Sequence, residues 1–404
     1  MDVPAVCWGG LRAARRLGPR SAELYCKLGP VVAYGTNSAD PRALPAAGGV
    51  TAAPGHCNTL YRMRPPVVPD LGAFAIGFDQ RDRGRLHELW DQVLTSERWS
   101  QGAIVAEFEA AWASWNGLTS VATSSWSGAA LAALEFAEVR GETVLCPSNT
   151  FMATPLAARA AGAEVVFVDC NRDDLCASFA DFEAKALEHR PRAAFLVHIG
   201  GHIAFEVERI AEFCRAEGIF LIEDCAHAHG ASFLGRRPGS FGDAGIWSFA
   251  ATKTISTGEG GMLVSRHDDL IEFARAYRDY GKPDYAQPGL NLRMNEFTAA
   301  LGLVGVERLE EITAWKNAMA RDWLDADHPE RVELPDGMTS GLYKYIVFRP
   351  IERSTGKVYD MPCHRIMGHA VDLPNSDWVA ENHWCVPLYY RPSPHEGAEE
   401  GTDV

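Results

Sequence analysis

No two of the ten cysteines form a Cys-x-x-Cys pair, so a zinc ribbon has no support and no metal site is expected. They stand singly, as at Cys146, Cys170, Cys176, Cys214 and Cys225. Several lie in apolar runs, where a free thiol acts as a small hydrophobe, and that use fits a reducing cytoplasm. No stretch reaches the roughly 18 uninterrupted apolar residues of a membrane span. Arg12, Arg15, Arg16 and Arg20 are followed by no apolar core of signal-peptide type. Positive charge is also short. Lys and Arg total 38 against 53 Asp and Glu, a formal net charge of −15. Such a chain repels phosphate backbones, so nucleic acid is not the expected partner, though a local basic pocket for a small anion is still compatible. There is no internal repeat and no low-complexity tract beyond a polar C-terminal tail.

What is present is globular: 404 residues, 47% hydrophobic and 23% charged. Residues 1–76 carry scattered Gly and Pro with short apolar runs, and read as an irregular extension. From about residue 80 the texture changes. Arg83 to Leu94 and Ile104 to Trp115 show helical spacing. Then helices (128–136, 153–161, 179–187, 206–216) alternate with apolar strands (143–146, 164–168, 193–198, 219–222), and a further strand is read at 261–264. That alternation argues for a parallel sheet covered by helices on both faces. Helical stretches follow at 268–280 and 295–318, then shorter strand-like pieces such as 344–348. We read a large α/β domain over 77–320 and a small C-terminal α+β domain over 321–404, ending in the polar tail.

Sites in such sheets form beyond the C-terminal ends of the strands. The 219–222 strand runs into Glu223-Asp224-Cys225-Ala226-His227. Asp224 there either faces a crevice or is a cap or a satisfied core acid. Lys253 stands between Ser248-Phe249-Ala250-Ala251-Thr252 and the glycine-rich Thr257-Gly258-Glu259-Gly260-Gly261. A buried lysine loses its proton readily and can form a Schiff base, whereas a solvated loop lysine does neither. Ser124-Ser125-Trp126-Ser127-Gly128 opens an alanine-rich helix. Its hydroxyls and free amides suit a phosphate, or merely cap the helix. Phe151, after Asn149-Thr150, is a flat wall for a planar ring or a core aromatic. Pyridoxal phosphate needs all four parts: a lysine, an acid for the pyridine nitrogen, an anion cradle and a flat wall.

The ordered blocks Leu221 to Ala231, Phe241-Gly242-Asp243, Ser248 to Met262 and Gly289 to Glu296 resemble the DegT/DnrJ/StrS family of pyridoxal phosphate-dependent sugar aminotransferases. The resemblance spans about residues 77–390. It implies a fold type I transferase with a large, mainly parallel sheet domain and a smaller C-terminal domain. It implies that Lys253 is the Schiff-base lysine and proton shuttle, that Asp224 pairs with the pyridine nitrogen, and that His227 contacts the ring or its phenolic oxygen. Phe151 takes the ring-stacking position. Ser248 and Trp126-Ser127-Gly128 hold the phosphate. Asn291 reaches the cofactor of the partner subunit in a homodimer with shared sites, and Arg293 is a candidate for substrate or donor carboxylate. His198 matches a family position too, and is read as structural.

Three departures stand out. The usual Ser-Gly-Thr turn is Trp126-Ser127-Gly128 here, the stretch from Arg349 to Pro362 is short and without a helix common in the family, and the C-terminus ends in polar residues. The expected activity is amino transfer from L-glutamate or L-glutamine to a keto-sugar, nucleotide-linked, or to a keto-cyclitol. The alternatives are a lyase or dehydratase like the aminohydroxybenzoate synthases and a non-catalytic, cofactor-binding regulator.

Overall fold

The computed structural model describes residues 79–389. The extension read at 1–76 and the polar tail lie outside these residues. No described helix is long and apolar enough to cross a membrane.

The described chain opens with α1 (Gln80–Ser96) and α2 (Ala103–Asn116), as the spacing of Leu86, Leu89 and Val93 predicts. Asp79 caps α1 by accepting from the N–H groups of Arg81 and Asp82, and Asp82 returns a bond to the N–H of Asp79. This reciprocal pair satisfies amides that no helical carbonyl reaches. Next come β1 (Thr119–Thr123), α3 (Trp126–Phe136), β2 (Thr143–Pro147), α4 (Ala153–Ala160), β3 (Glu164–Val168), α5 (Phe179–His189), β4 (Ala193–Val197), α6 (Val207–Glu217) and β5 (Phe220–Asp224). A short β6 (Ser232–Phe233) precedes β7 (Ala244–Ser248) and β8 (Gly261–Ser265). Then follow α7 (Asp268–Tyr277) and α8 (Glu296–Met319), the latter continued by a π-helical turn over Ala320–Leu324. The C-terminal elements are β9 (Met338–Thr339), β10 (Tyr345–Val347), α9 (Cys363–Ile366), α10 (Pro374–Asn382) and β11 (Trp384–Val386).

Seven strands form one sheet in the order β1-β8-β7-β5-β4-β2-β3. Neighbours from β7 to β3 are parallel, and β8 runs against both β7 and β1. Two of these strands, β1 and β7, do not stand out in the sequence. Thr119–Thr123 mixes hydroxyl and apolar residues, and Ala244–Ser248 carries Gly245 at its second position.

Side chains of β4 alternate between two cores: Ala193 and Phe195 pack with α3, α4 and α7, while Ala194 and Leu196 pack with α2, α5, α6 and α8. Both faces are therefore covered, which is why the strand reads as continuously apolar. Gly302 lets α8 approach α2, since a Cβ there would meet Phe108 Cζ at 2.5 Å. Trp112 of α2 packs edge-on against Trp247 of β7 at 5.0 Å and Phe249 at 5.1 Å, joining helix to sheet. The smaller β10–β11 sheet packs with Ala320 and Leu324 in a third cluster.

Candidate active site

Val197, Asp224 and Ser248 end β4, β5 and β7, and all three line one cavity of about 800 Å³. Residues 125–127 enter it from the first turn of α3, Phe151 and Thr154 from beside α4, and Lys253 from the loop between β7 and β8. The parallel strands thus deliver their C-terminal ends to one crevice, as the topology requires. Tyr343, Lys344 and the strap Lys357-Val358-Tyr359-Asp360 close the other side.

Asp224 is buried, and burial pushes its carboxyl pKa up. The N–H of Ala226, the charge of Lys253 and the side chains of Thr154 and Trp126 oppose that shift. Trp126 Nε1 donates to Oδ1 at 2.9 Å and the Ala226 N–H donates to the same oxygen at 3.1 Å. Thr154 Oγ1 donates to Oδ2 at 3.0 Å. An oxygen of a carboxylate offers two acceptor positions, so Oδ1 is filled and Oδ2 keeps one.

Lys253 is half-buried on the cavity wall, and its Nζ lies 5.0 Å from the centre of the Tyr343 ring. Desolvation lowers its pKa to about 8, the charge of Asp224 works against that fall, and Lys344 adds to it. His227 stacks on Tyr343 at 4.2 Å and lies parallel to Tyr359 at 5.9 Å. Burial drives its pKa well down, so the ring is neutral, and its Nδ1 makes no hydrogen bond within the protein. A buried ring nitrogen left in this way beside a cavity fits a ligand that supplies the partner.

The turn expected to cradle a phosphate is partly engaged by its own helix. Ser125 caps α3, with its Oγ accepting from the Gly128 N–H at 3.2 Å. Gly128 does not line the cavity, whereas Trp126 and Ser127 do, along with Ser248. The Trp126 and Ser127 amides belong to the first helical turn, where no preceding helical carbonyl accepts them. Gly261 makes room for this turn, since a Cβ there would meet the Ser125 carbonyl oxygen at 2.3 Å. Phe151 stands 64% exposed at the mouth, which suits a wall awaiting a planar partner and not a core aromatic.

Two further expected site residues do not line the cavity. Asn291 is exposed and pairs with Asp279 in an isolated bridge. Arg293 forms an ion pair with the same Asp279 and lies 5.4 Å from the Tyr280 ring. Neither lines the cavity of this chain. His198 sits behind the site, fully buried, with Nε2 2.9 Å from Glu223 Oε2. Glu223 also accepts from the N–H groups of Gly239, Phe241 and Gly242, and so fastens that turn to β5.

Sequence reasoning missed Thr154, Tyr343 and Tyr359. Thr154 follows Phe151 by one helical turn, a signal that was available. The two tyrosines come from far along the chain, and no local pattern marks them.

The matched family model describes the DegT/DnrJ/EryC1/StrS aminotransferases and covers residues 81–326. GDP-perosamine synthase of Escherichia coli O157:H7 is 32% identical over 228 residues, 55% of this chain and 62% of that one. The chain therefore spans less than two thirds of that relative's length. A dTDP-3-amino-3,4,6-trideoxy-alpha-D-glucose transaminase of Micromonospora megalomicea subsp. nigra is 31% identical over 350 residues, 78% of this chain and 92% of that one. The crystal structure of S. venezuelae DesV, in complex with a ketimine intermediate, superposes with a TM-score of 0.71 at 27% identity, over 76% of this chain and 90% of that one. With sequence and architecture in agreement, the chain belongs to the DegT/DnrJ/EryC1/StrS aminotransferase family.

Proposed function

We propose that this chain binds pyridoxal 5'-phosphate in the cavity described and moves an amino group from L-glutamate or L-glutamine to a keto-sugar, nucleotide-linked, or to a keto-cyclitol, as the names of its relatives suggest. The observation that carries the reading is Lys253 and Asp224 lining one cavity, the amine pushed toward neutrality and the acid left with one acceptor position. Once bound, the cofactor supplies an aldehyde and an electron-withdrawing ring.

The chain's own residues do the rest. Lys253 Nζ, unprotonated in a large fraction near pH 8, would hold the cofactor through its aldehyde, with release of water, and would carry the proton of the donor's α-carbon. Asp224, whose Oδ2 keeps an acceptor position, would hold the proton on the ring nitrogen. His227 offers its unpartnered Nδ1 to the ring face or its oxygen. Ser127, Ser248 and the first-turn amides of α3 take the phosphate. Phe151 covers the ring. Asn291 has no role inside its own chain's cavity, which supports a homodimer in which it serves the partner's site. Arg293, engaged by Asp279, is the weaker of the two candidates.

The absorption spectrum of the purified protein tests this. A visible band that bleaches on addition of L-glutamate or L-glutamine, and returns with a keto-sugar nucleotide, is the expected result. A band indifferent to both donors would replace transamination with a lyase or a regulator, and no band would remove the cofactor.

A further inference from the structure

Trp126 occupies the place of the first serine in the family's usual phosphate turn, yet its indole does not face the phosphate end of the site alone. It reaches across to the acid on β5. We infer that Trp126 is a positioning residue for Asp224: its N–H fills Oδ1 and leaves Oδ2 as the oxygen offered to the cofactor ring nitrogen. This rests on the function proposed above.

The geometry is specific. Trp126 is 7% exposed, and its ring tilts against Phe195 of β4 with centroids 6.1 Å apart. Its Nε1 meets Asp224 Oδ1 at 2.9 Å, and the Ala226 N–H supplies the second bond to that oxygen. On the other side Thr154 Oγ1 takes one position of Oδ2, and Thr150 Oγ1 lies 3.1 Å from the threonine hydroxyl. A serine at 126 is too short to make the indole's contact. The carboxylate would then have one donor fewer on Oδ1, and two nearly equivalent orientations. A buried carboxylate gains most from donors that favour its charged form, so the indole both orients Asp224 and helps keep it ionised. Gly128 complements the bulk nearby. A Cβ there would come into contact with Leu292 Cβ and Thr123 Cβ at 3.4 Å.

The alternative is that Trp126 is only a wall for the ring. A double-mutant cycle on the full chain separates the two, read as the dissociation constant for pyridoxal 5'-phosphate and as visible circular dichroism per bound cofactor. Trp126→Phe keeps the wall and removes the donor. It should weaken cofactor binding about tenfold and reduce the dichroic signal, as loss of a hydrogen bond to a charged group does. In an Asp224→Ala background the indole has no carboxylate to hold, and the same substitution should change the constant by less than about twofold. Trp126→Met, carried through the same cycle, covers the case in which the phenylalanine variant folds poorly. Equal losses in both backgrounds, or no loss in either, overturn the inference while the proposed function stands. A wild-type protein that binds no pyridoxal 5'-phosphate removes the function and this inference together.

Discussion

Lys253 is suited to the proposed chemistry because its surroundings strip water from an ammonium, and that desolvation lowers its pKa. Replacing it by alanine should abolish the adduct fixed by borohydride and lower transamination about a thousandfold or more. Mass spectrometry of the reduced protein checks this, and a persisting adduct would transfer the role to another lysine. The depressed pKa gives a second expectation. Only the neutral amine attacks an aldehyde, so a lower pKa means more nucleophile at a given pH. Capture of pyridoxal 5'-phosphate by the cofactor-free protein should quicken as pH rises and level off above about 8. Stopped-flow absorbance reads this directly. A rate still climbing toward pH 10 would mean that the amine titrates like a solvated lysine.

The element that carries the acid is itself held in place. Asp224 is the last residue of β5, and the strand before it is fastened by Glu223. That carboxylate collects three backbone N–H groups and His198, all from buried positions. Glu223→Gln would turn two donors of its own toward an array made of donors. We expect a loss of about 2–4 kcal/mol in stability, measured by guanidinium unfolding, with a raised cofactor dissociation constant as β5 loosens. Unchanged stability would show that the turn 238–243 is held by something else. The same cluster explains His198, whose ring serves the strand and does not open on the cavity.

At the scale of the whole molecule, Asn291 and Arg293 raise the question of a second subunit. Both lie beside Asp279 and neither lines this chain's cavity. In the proposed twofold dimer with shared sites, Asn291 of one chain would complete the site built on Lys253 of the other. Lys253→Ala and Asn291→Asp proteins should each be weak alone. Co-expression should recover about a quarter of wild-type activity, because random pairing makes half the dimers mixed and each mixed dimer has one intact site. No recovery, with both proteins folded and paired, would confine Asn291 to its own chain.

Several of these features are legible in the linear sequence for a physical reason. Alternating helical and apolar segments specify a mainly parallel sheet, because a strand buried on both faces must be apolar throughout. The strand ends then mark the site, and Asp224, His227, Ser248 and Lys253 fall there as read. What the linear chain does not show depends on long-range approach. The strands β1 and β7 have no strong pattern of their own, and pairing with β8 decides them. Tyr343 and Tyr359 reach the cavity only when the C-terminal segment folds back over it. The contact from Trp126 to Asp224 joins residues 98 positions apart. Residue type and periodicity act locally and therefore set the elements and the candidate chemistry. Hydrogen-bond direction, desolvation and the choice between two oxygens of one carboxylate arise only where distant segments meet, and tertiary packing decides them.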